Sequence, residues 1–281
     1  MTGVQTCALP IYTNRDLQTA AAALTGLGNH ANFRGQTDDG RTFYTQALQR
    51  YRNLASVADS QSAPGLKGRV AYCLNTLGLI ARQAGELKAQ MALYLEAAEL
   101  RLAIGDDFGL AQSHLCIGTA YNDLNDAANA APYFDKAITV LRSYRESRFL
   151  TMALSQEIVS YTIDNQPLKA LSNISEVITL ARTAHDKRRC LYTIAVSVAP
   201  LRMLGELELA ASLAAATIAI CRREQISLMK PDQVMMQRDR EALAQEMDNA
   251  RYRLSARNGE IWSLDAALDM LLTAVRKKLG T

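Results

Sequence analysis

Four residues with easy access to positive φ, Gly85, Asn125, Asn165 and Gly205, stand 40 positions apart along this chain. Gly and Asn are the residue types that most readily enter the left-handed backbone region. At a fixed interval they mark a tight helix-to-helix turn that recurs. Other columns keep the same interval. Leu77-Gly78 answers to Ile117-Gly118, and Ala81, Tyr121, Tyr161 and Leu201 follow three positions after the glycine column. Tyr94, Phe134, Ile174 and Ala214 form another column, followed by Ala97, Ala137, Val177 and Thr217, and then by Leu100, Val140, Leu180 and Ile220. An earlier copy (Leu27, Gly28, Ala31, Gly35, Tyr44, Ala47) is offset by 50, and its extra residues, Ser60 to Arg69, carry the Ser, Pro and Gly of a predicted loop. An aromatic and a small residue three apart share one helix face. The pattern predicts five helical hairpins that cover their apolar sides only by stacking on one another, an all-α solenoid.

Composition agrees and excludes several classes. Hydrophobic residues make up 49%, charged residues 21% and aromatics only 6%, a globular balance that favours helices over strands. The net charge of +3 comes without a basic stripe interleaved with aromatics, so no direct nucleic-acid surface is expected. Arg276 to Lys278 reads as cations at a helix C-terminus. No apolar run reaches membrane-spanning length. Cys7, Cys73, Cys116, Cys190 and Cys221 include no C-x-x-C pair, which suits reduced thiols in a cytoplasmic protein.

The order apolar-Gly-x-x-Tyr, then Ala-x-x-x-Phe-x-x-Ala, resembles the tetratricopeptide repeat. Ile117, Gly118, Tyr121, Ala130, Phe134 and Ala137 fill the family positions in the best copy. The first-helix Trp and the Pro after the second helix are absent, and Ile158 and Val198 replace the Gly in copies four and five. The period of 40 exceeds the usual 34, and longer second helices and linkers such as "RLAIGDDFGL", with Gly105 as a helix cap, would absorb the excess. Repeats of this length with a "GDDFGLA" link are similar to the helical arms of large bacterial signal-transduction ATPases, including LuxR-type transcription regulators. The segment after Lys230 looks like the closing helices of such arms, with Pro231 placed for a helix start, Gly259 for a stop and Ser263 for an N-cap.

That resemblance implies a right-handed solenoid over residues 12–226, capping helices over 227–281, and a concave groove for a protein or peptide partner. Carried onto this sequence, the groove positions include Asn29, Asn32, Tyr72, Asn75, Arg82 and Gln83. Gln112, Thr119, Asn122 and Asp123 extend the set, followed by Tyr192 and Arg202. Amides can pair with an extended peptide backbone, and Arg can clamp a carboxylate. The same residues would equally serve as a solvated outer helix face. Met152, Val159, Ile163 and Met203 make a more apolar end, suited either to self-association or intramolecular docking, or to covering by the helices after Pro231.

No catalytic constellation is visible. G-x-x-x-x-G-K-[ST], H-E-x-x-H and a nucleophile elbow are all missing, and His30, His114 and His185 lack partners at metal-ligand spacing. Asp38-Asp39 and Asp106-Asp107 suit turns and helix ends. The chain reads as a non-enzymatic interaction or sensor arm, needing no cofactor, or alternatively as a freestanding scaffold that assembles partner proteins. Met1 to Ile11 resembles the translation of a short-read sequencing adaptor, a non-native segment. On that reading the surviving frame begins inside a longer protein, with an ATPase or effector domain upstream.

Overall fold

Each reversal between stacked helices of the central repeats is made where one residue turns left-handed. In the computed structural model, which describes residues 13–145 and 147–280, Gly85, Gly105, Asn125, Arg145, Asn165, His185, Gly205 and Gln225 all have positive φ and recur every 20 residues. The same backbone bond closes seven of these turns, from Glu86 N–H to Ala81 C=O (2.9 Å) down to Ile226 N–H to Cys221 C=O (3.0 Å). This is the six-to-one bond of a Schellman motif. Half of the turns were legible as Gly or Asn at interval 40. Of the turns between hairpins, Gly105 was legible as a helix cap, but those after it fall on Arg145, His185 and Gln225 and were not. The adaptor-like segment lies outside the described residues, as does Cys7.

The resulting order is α1 (Asn14–Phe33), α2 (Thr37–Val57), α3 (Ala63–Ala84), α4 (Leu87–Ala103), α5 (Asp107–Asp123), α6 (Ala127–Ser143) and α7 (Ser147–Ile163). It continues with α8 (Pro167–Ser172), α9 (Ile174–Thr183), α10 (Lys187–Met203), α11 (Leu207–Glu224), α12 (Lys230–Glu246), α13 (Asn249–Glu260) and α14 (Leu264–Leu279). Helices α1/α2, α3/α4, α5/α6, α7/α8–α9 and α10/α11 form the five hairpins, each stacked on the next. The architecture is all-α, as expected. Three local expectations need correction. The residues beyond the usual period do not lengthen linkers: in the third hairpin α5 and α6 are 17 residues each around a three-residue turn, and α4 before them has the same length. Most of Ser60–Arg69 is helical, since Pro64 starts α3 instead of breaking the chain. Gly259 is the penultimate residue of α13, which stops at Glu260 as expected, but its role is packing: a Cβ there would strike the backbone of Ser212 on α11.

Packing explains the aromatic columns. A Cβ on Gly28 or Gly118 would lie 2.7 Å from the ring of Tyr44 or Phe134 respectively, and one on Gly78 would meet Tyr94. Each ring therefore packs against the bare backbone of its partner helix. In copies four and five the pairing is rebuilt. Ile158 faces a column carrying Ile174, Val198 one carrying Ala214, and all four side chains are buried. Burial holds every described thiol protonated, with Cys73 pushed up to about 11 and Cys116 to about 12.

Capping proved more elaborate than a lid on the last hairpin. Helix α13 takes the next stacking position, packed along α11, with Ser212 Oγ donating to Ser255 C=O at 2.8 Å. Helix α14 lies across α8–α11, tied by Arg182 to Asp269 (2.8 Å) and by Lys278 to Glu206 (2.7 Å). Helix α12 turns the other way. It packs on α10 and α11 and reaches back to α3, crossing the inner face of the first helices.

Candidate functional site

The first helices of hairpins two to five present one side to the interior of the solenoid, and α12 partly covers it. Between them lies a cleft of about 480 Å³. Five of the groove positions expected from sequence, Arg82, Gln83, Asn122, Asp123 and Tyr192, line it together. The 40-residue interval brings the central pair together: Asn122 on α5 stands one interval after Arg82 on α3, with Asp123 the next residue, while Gln156 on α7 and Tyr192 on α10 reach in from earlier turns of their helices.

At the centre is a buried charge cluster. Arg82, 8% exposed, donates through Nε and Nη2 to the two oxygens of Asp123 at 2.7 and 2.9 Å. Its Nη2 also lies 3.6 Å from Asp232 on α12. Gln90 on α4 donates to Asp123 at 2.8 Å. Burial alone would lower the Arg82 pKa, but the bond to Asp123 and the charges of Asp123 and Asp232 outweigh it and raise it. Asp232 moves the other way from an ordinary ion-paired acid. Burial and the nearby Asp123 charge raise its pKa, and the long contact to Arg82 only partly offsets this. Beside the cluster, Asn122 donates to Gln156 C=O at 2.9 Å, and Gln156 Nε2 donates to the Tyr192 hydroxyl at 2.7 Å. Burial raises the Tyr192 pKa far above its ordinary value, so the phenol stays neutral.

The remaining groove positions lie elsewhere. Asn29 accepts from both Tyr44 (2.5 Å) and Tyr72 (3.0 Å), and Asn29 and Tyr72 line a separate cleft with Arg69 between the first two hairpins. Asn32 fills the space where a Cβ on Gly40 would sit. Asn75 donates to Ser113 at 3.1 Å, and Thr119 bonds its own helix at Leu115 C=O. Gln112 is half-buried on α5, outside the cleft. Arg202 pairs with Glu246 near the end of α12. The expected use of Arg82 as a free carboxylate clamp is corrected: Asp123 already holds it in a two-pronged pair.

Residues that sequence reasoning missed come chiefly from α12, which contributes Asp232 and Asp239 to the cleft wall and Lys230 and Arg238 to its rim. Nothing local to α12 distinguishes a helix lying in a groove from one capping its end. A signal was available in the apolar patch, however: Val159 and Ile163 line this cleft with Pro231, Val234 and Met235. Among the described residues, no group of three or more His, Cys, Asp or Glu side chains could hold a metal ion. No helix among them is long and apolar enough to cross a membrane.

No protein-family model matches the chain, and no curated protein matches it. Solved structures do. One is the apo form of RapI, with a TM-score of 0.56 and 15% identity over 86% of this chain and 84% of that one. Another is the Rap conjugation gene regulator of the plasmid pLS20 in complex with the Phr* peptide. It aligns with a TM-score of 0.58 and 13% identity over 100% of this chain and 82% of that one. A third is a putative kinesin light chain of Podospora anserina with nearly identical TPR-like repeats, with a TM-score of 0.50 and 12% identity over 75% of this chain and 98% of that one. At such identities the likeness is one of fold, and the fold of this chain is the stacked-hairpin, tetratricopeptide-like repeat.

Proposed function

We propose that this chain is the peptide- or protein-binding module of a bacterial regulator, and that its partner enters the inner face of the first helices beside α12. The observation that carries this reading is the cleft itself. Arg82, Asn122, Asp123 and Tyr192 are polar side chains drawn from three stacked repeats, and they surround about 480 Å³ of open space instead of closing into a core. A ligand there touches several repeats and α12 at once. It therefore favours one relative arrangement of those parts over another, which is what a sensor arm needs to signal to an effector domain. The fold likeness to a Rap regulator solved with a peptide supports the choice of a peptide as partner. As a sensor arm, it would serve an ATPase or transcription-regulating effector.

A peptide array probed with the purified chain tests this. Capture of a defined subset of peptides is expected, and it should be lost in the paired substitution Gln83→Ala and Asn122→Ala while far-UV circular dichroism is unchanged. Undiminished capture by the substituted chain would reject the cleft as the site.

A further inference from the structure

A second concavity borders α12, apart from the inner-face cleft. It holds about 490 Å³ between the last turns of α11, the link that follows, and the first half of α12. Helix α12 serves both spaces with different residues. Asp232, Met235 and Asp239 line the cleft, whereas Gln233, Met236 and Arg240 line this recess.

The link is pinned at both ends, by Ile226 N–H donating to Cys221 C=O at 3.0 Å and by Gln233 Nε2 donating to Leu228 C=O at 2.8 Å. The walls are largely apolar. Met236 is buried, and Ile218, Cys221, Ile226 and Leu228 are half-buried, so part of their surface stays open to a ligand. An apolar body seated there removes that surface from water.

Charge sets the other end of the ligand. The inner-face cleft places three carboxylates among its cations, but no carboxylate lines the recess, whose charged residues are Arg222 and Arg240. Thr217 and Gln237 spend their donors inside the chain, on Leu213 C=O at 2.9 Å and on Glu241 at 2.7 Å. The two guanidiniums do not. Arg240 reaches Gln237 at a long 3.4 Å, and among the described residues neither arginine pairs with a carboxylate. Both are accessible, Arg222 exposed and Arg240 half-buried. A solvated guanidinium holds an anion weakly by itself, and more firmly beside an apolar wall that the same ligand covers. Size selects the occupant. The volume lies in the range of small-molecule sites, about 300–1,000 Å³, whereas a helix about 10 Å across fills roughly 400 Å³ with every turn.

We propose that this recess binds a small amphiphilic carboxylate, with its apolar body against Met236 and Ile218 and its head on Arg222 and Arg240.

Calorimetric titration of the full chain in Tris buffer of low ionic strength tests it, with octanoate, acetate, 1-octanol and octylammonium as probes. Saturable one-site binding of octanoate is expected. Acetate lacks the body, octanol the charge, and octylammonium has the wrong sign, so each should bind at least tenfold more weakly. Arg222→Gln and Arg240→Gln should each weaken octanoate several-fold, and the double substitution at least tenfold, with circular dichroism unchanged. Bound octanoate should also slow alkylation of Cys221 by iodoacetamide, read by peptide mass spectrometry. Octanol binding as well as octanoate, undiminished affinity in the double variant, no saturation, or unprotected Cys221 would overturn the proposal. An N-acetylated Leu-Leu acid binding more tightly than octanoate would overturn the choice of a free small molecule. None of these readouts involves Gln83 or Asn122, so the recess and the peptide-binding cleft stand or fall separately.

Discussion

Asp239 should be a liability to the folded chain at neutral pH, and replacing it with Asn should stabilise the protein. Its carboxyl is buried against α10, Oδ2 has no partner, and burial raises its pKa from 3.8 to about 6, with Arg202 offsetting only part of the effect. The native state thus holds the proton more tightly than the unfolded state between those two values. Stability conferred by this group is complete below pH 3.8 and is lost as pH rises through about 6. The gap between the two values corresponds to about 3 kcal/mol of penalty once the group is fully ionised. Asn keeps the shape and removes the charge, so Asp239→Asn should gain up to about 3 kcal/mol at pH 7.5 and little at pH 4. Urea unfolding read by Trp262, the one tryptophan, reports on the α13–α14 cap next to this region. All other titrating groups are common to both chains, so the difference curve against pH isolates Asp239. A difference that stays flat between pH 4 and 7.5, or a variant less stable at pH 7.5, would refute the reasoning.

Three further outcomes follow from the packing. Gly118→Ala should cost about 1–3 kcal/mol by forcing the Phe134 ring off the α5 backbone, and adding Phe134→Leu should recover part of that loss in a double-mutant cycle by thermal melting. Arg82→Met leaves Asp123 and Asp232 buried without their cation and should cost about 3–5 kcal/mol; by contrast, Arg41→Met removes only an exposed pair with Glu86 and should cost under about 1 kcal/mol in the same denaturation assay. His185→Gly relieves a left-handed turn residue that carries a Cβ and should add about 1 kcal/mol, seen as slower amide exchange around α9 and α10.

How much could be read in advance depended on the range of the interaction. Left-handed turns need Gly or Asn for local steric reasons, so Gly85, Asn125, Asn165 and Gly205 announced their hairpins. Arg145, His185 and Gln225 adopt the same φ at the ends of α6, α9 and α11, where the next helix must fold back to stack, and no residue preference reveals it. Gly28, Gly78 and Gly118 gave away their aromatic partners because a bare backbone beside a ring is a pairwise requirement written in two columns. Gly259, by contrast, looked like a stop signal although it is a contact point for Ser212 on α11.

The repeating turns and the small-aromatic pairs therefore determined the architecture from sequence alone, since both follow from contacts within a hairpin or between neighbours in the stack. Tertiary structure decided the site. Whether Arg82 faces solvent, a ligand or its own Asp123 depends on side chains 41 residues apart, and the cleft exists only because α12 returns across the inner face to place Asp232 and Asp239 opposite it. Stacking periodicity is a short-range property repeated many times. The course of one capping helix is set once, by the sum of weak contacts with α3, α10 and α11, and it leaves no period to read.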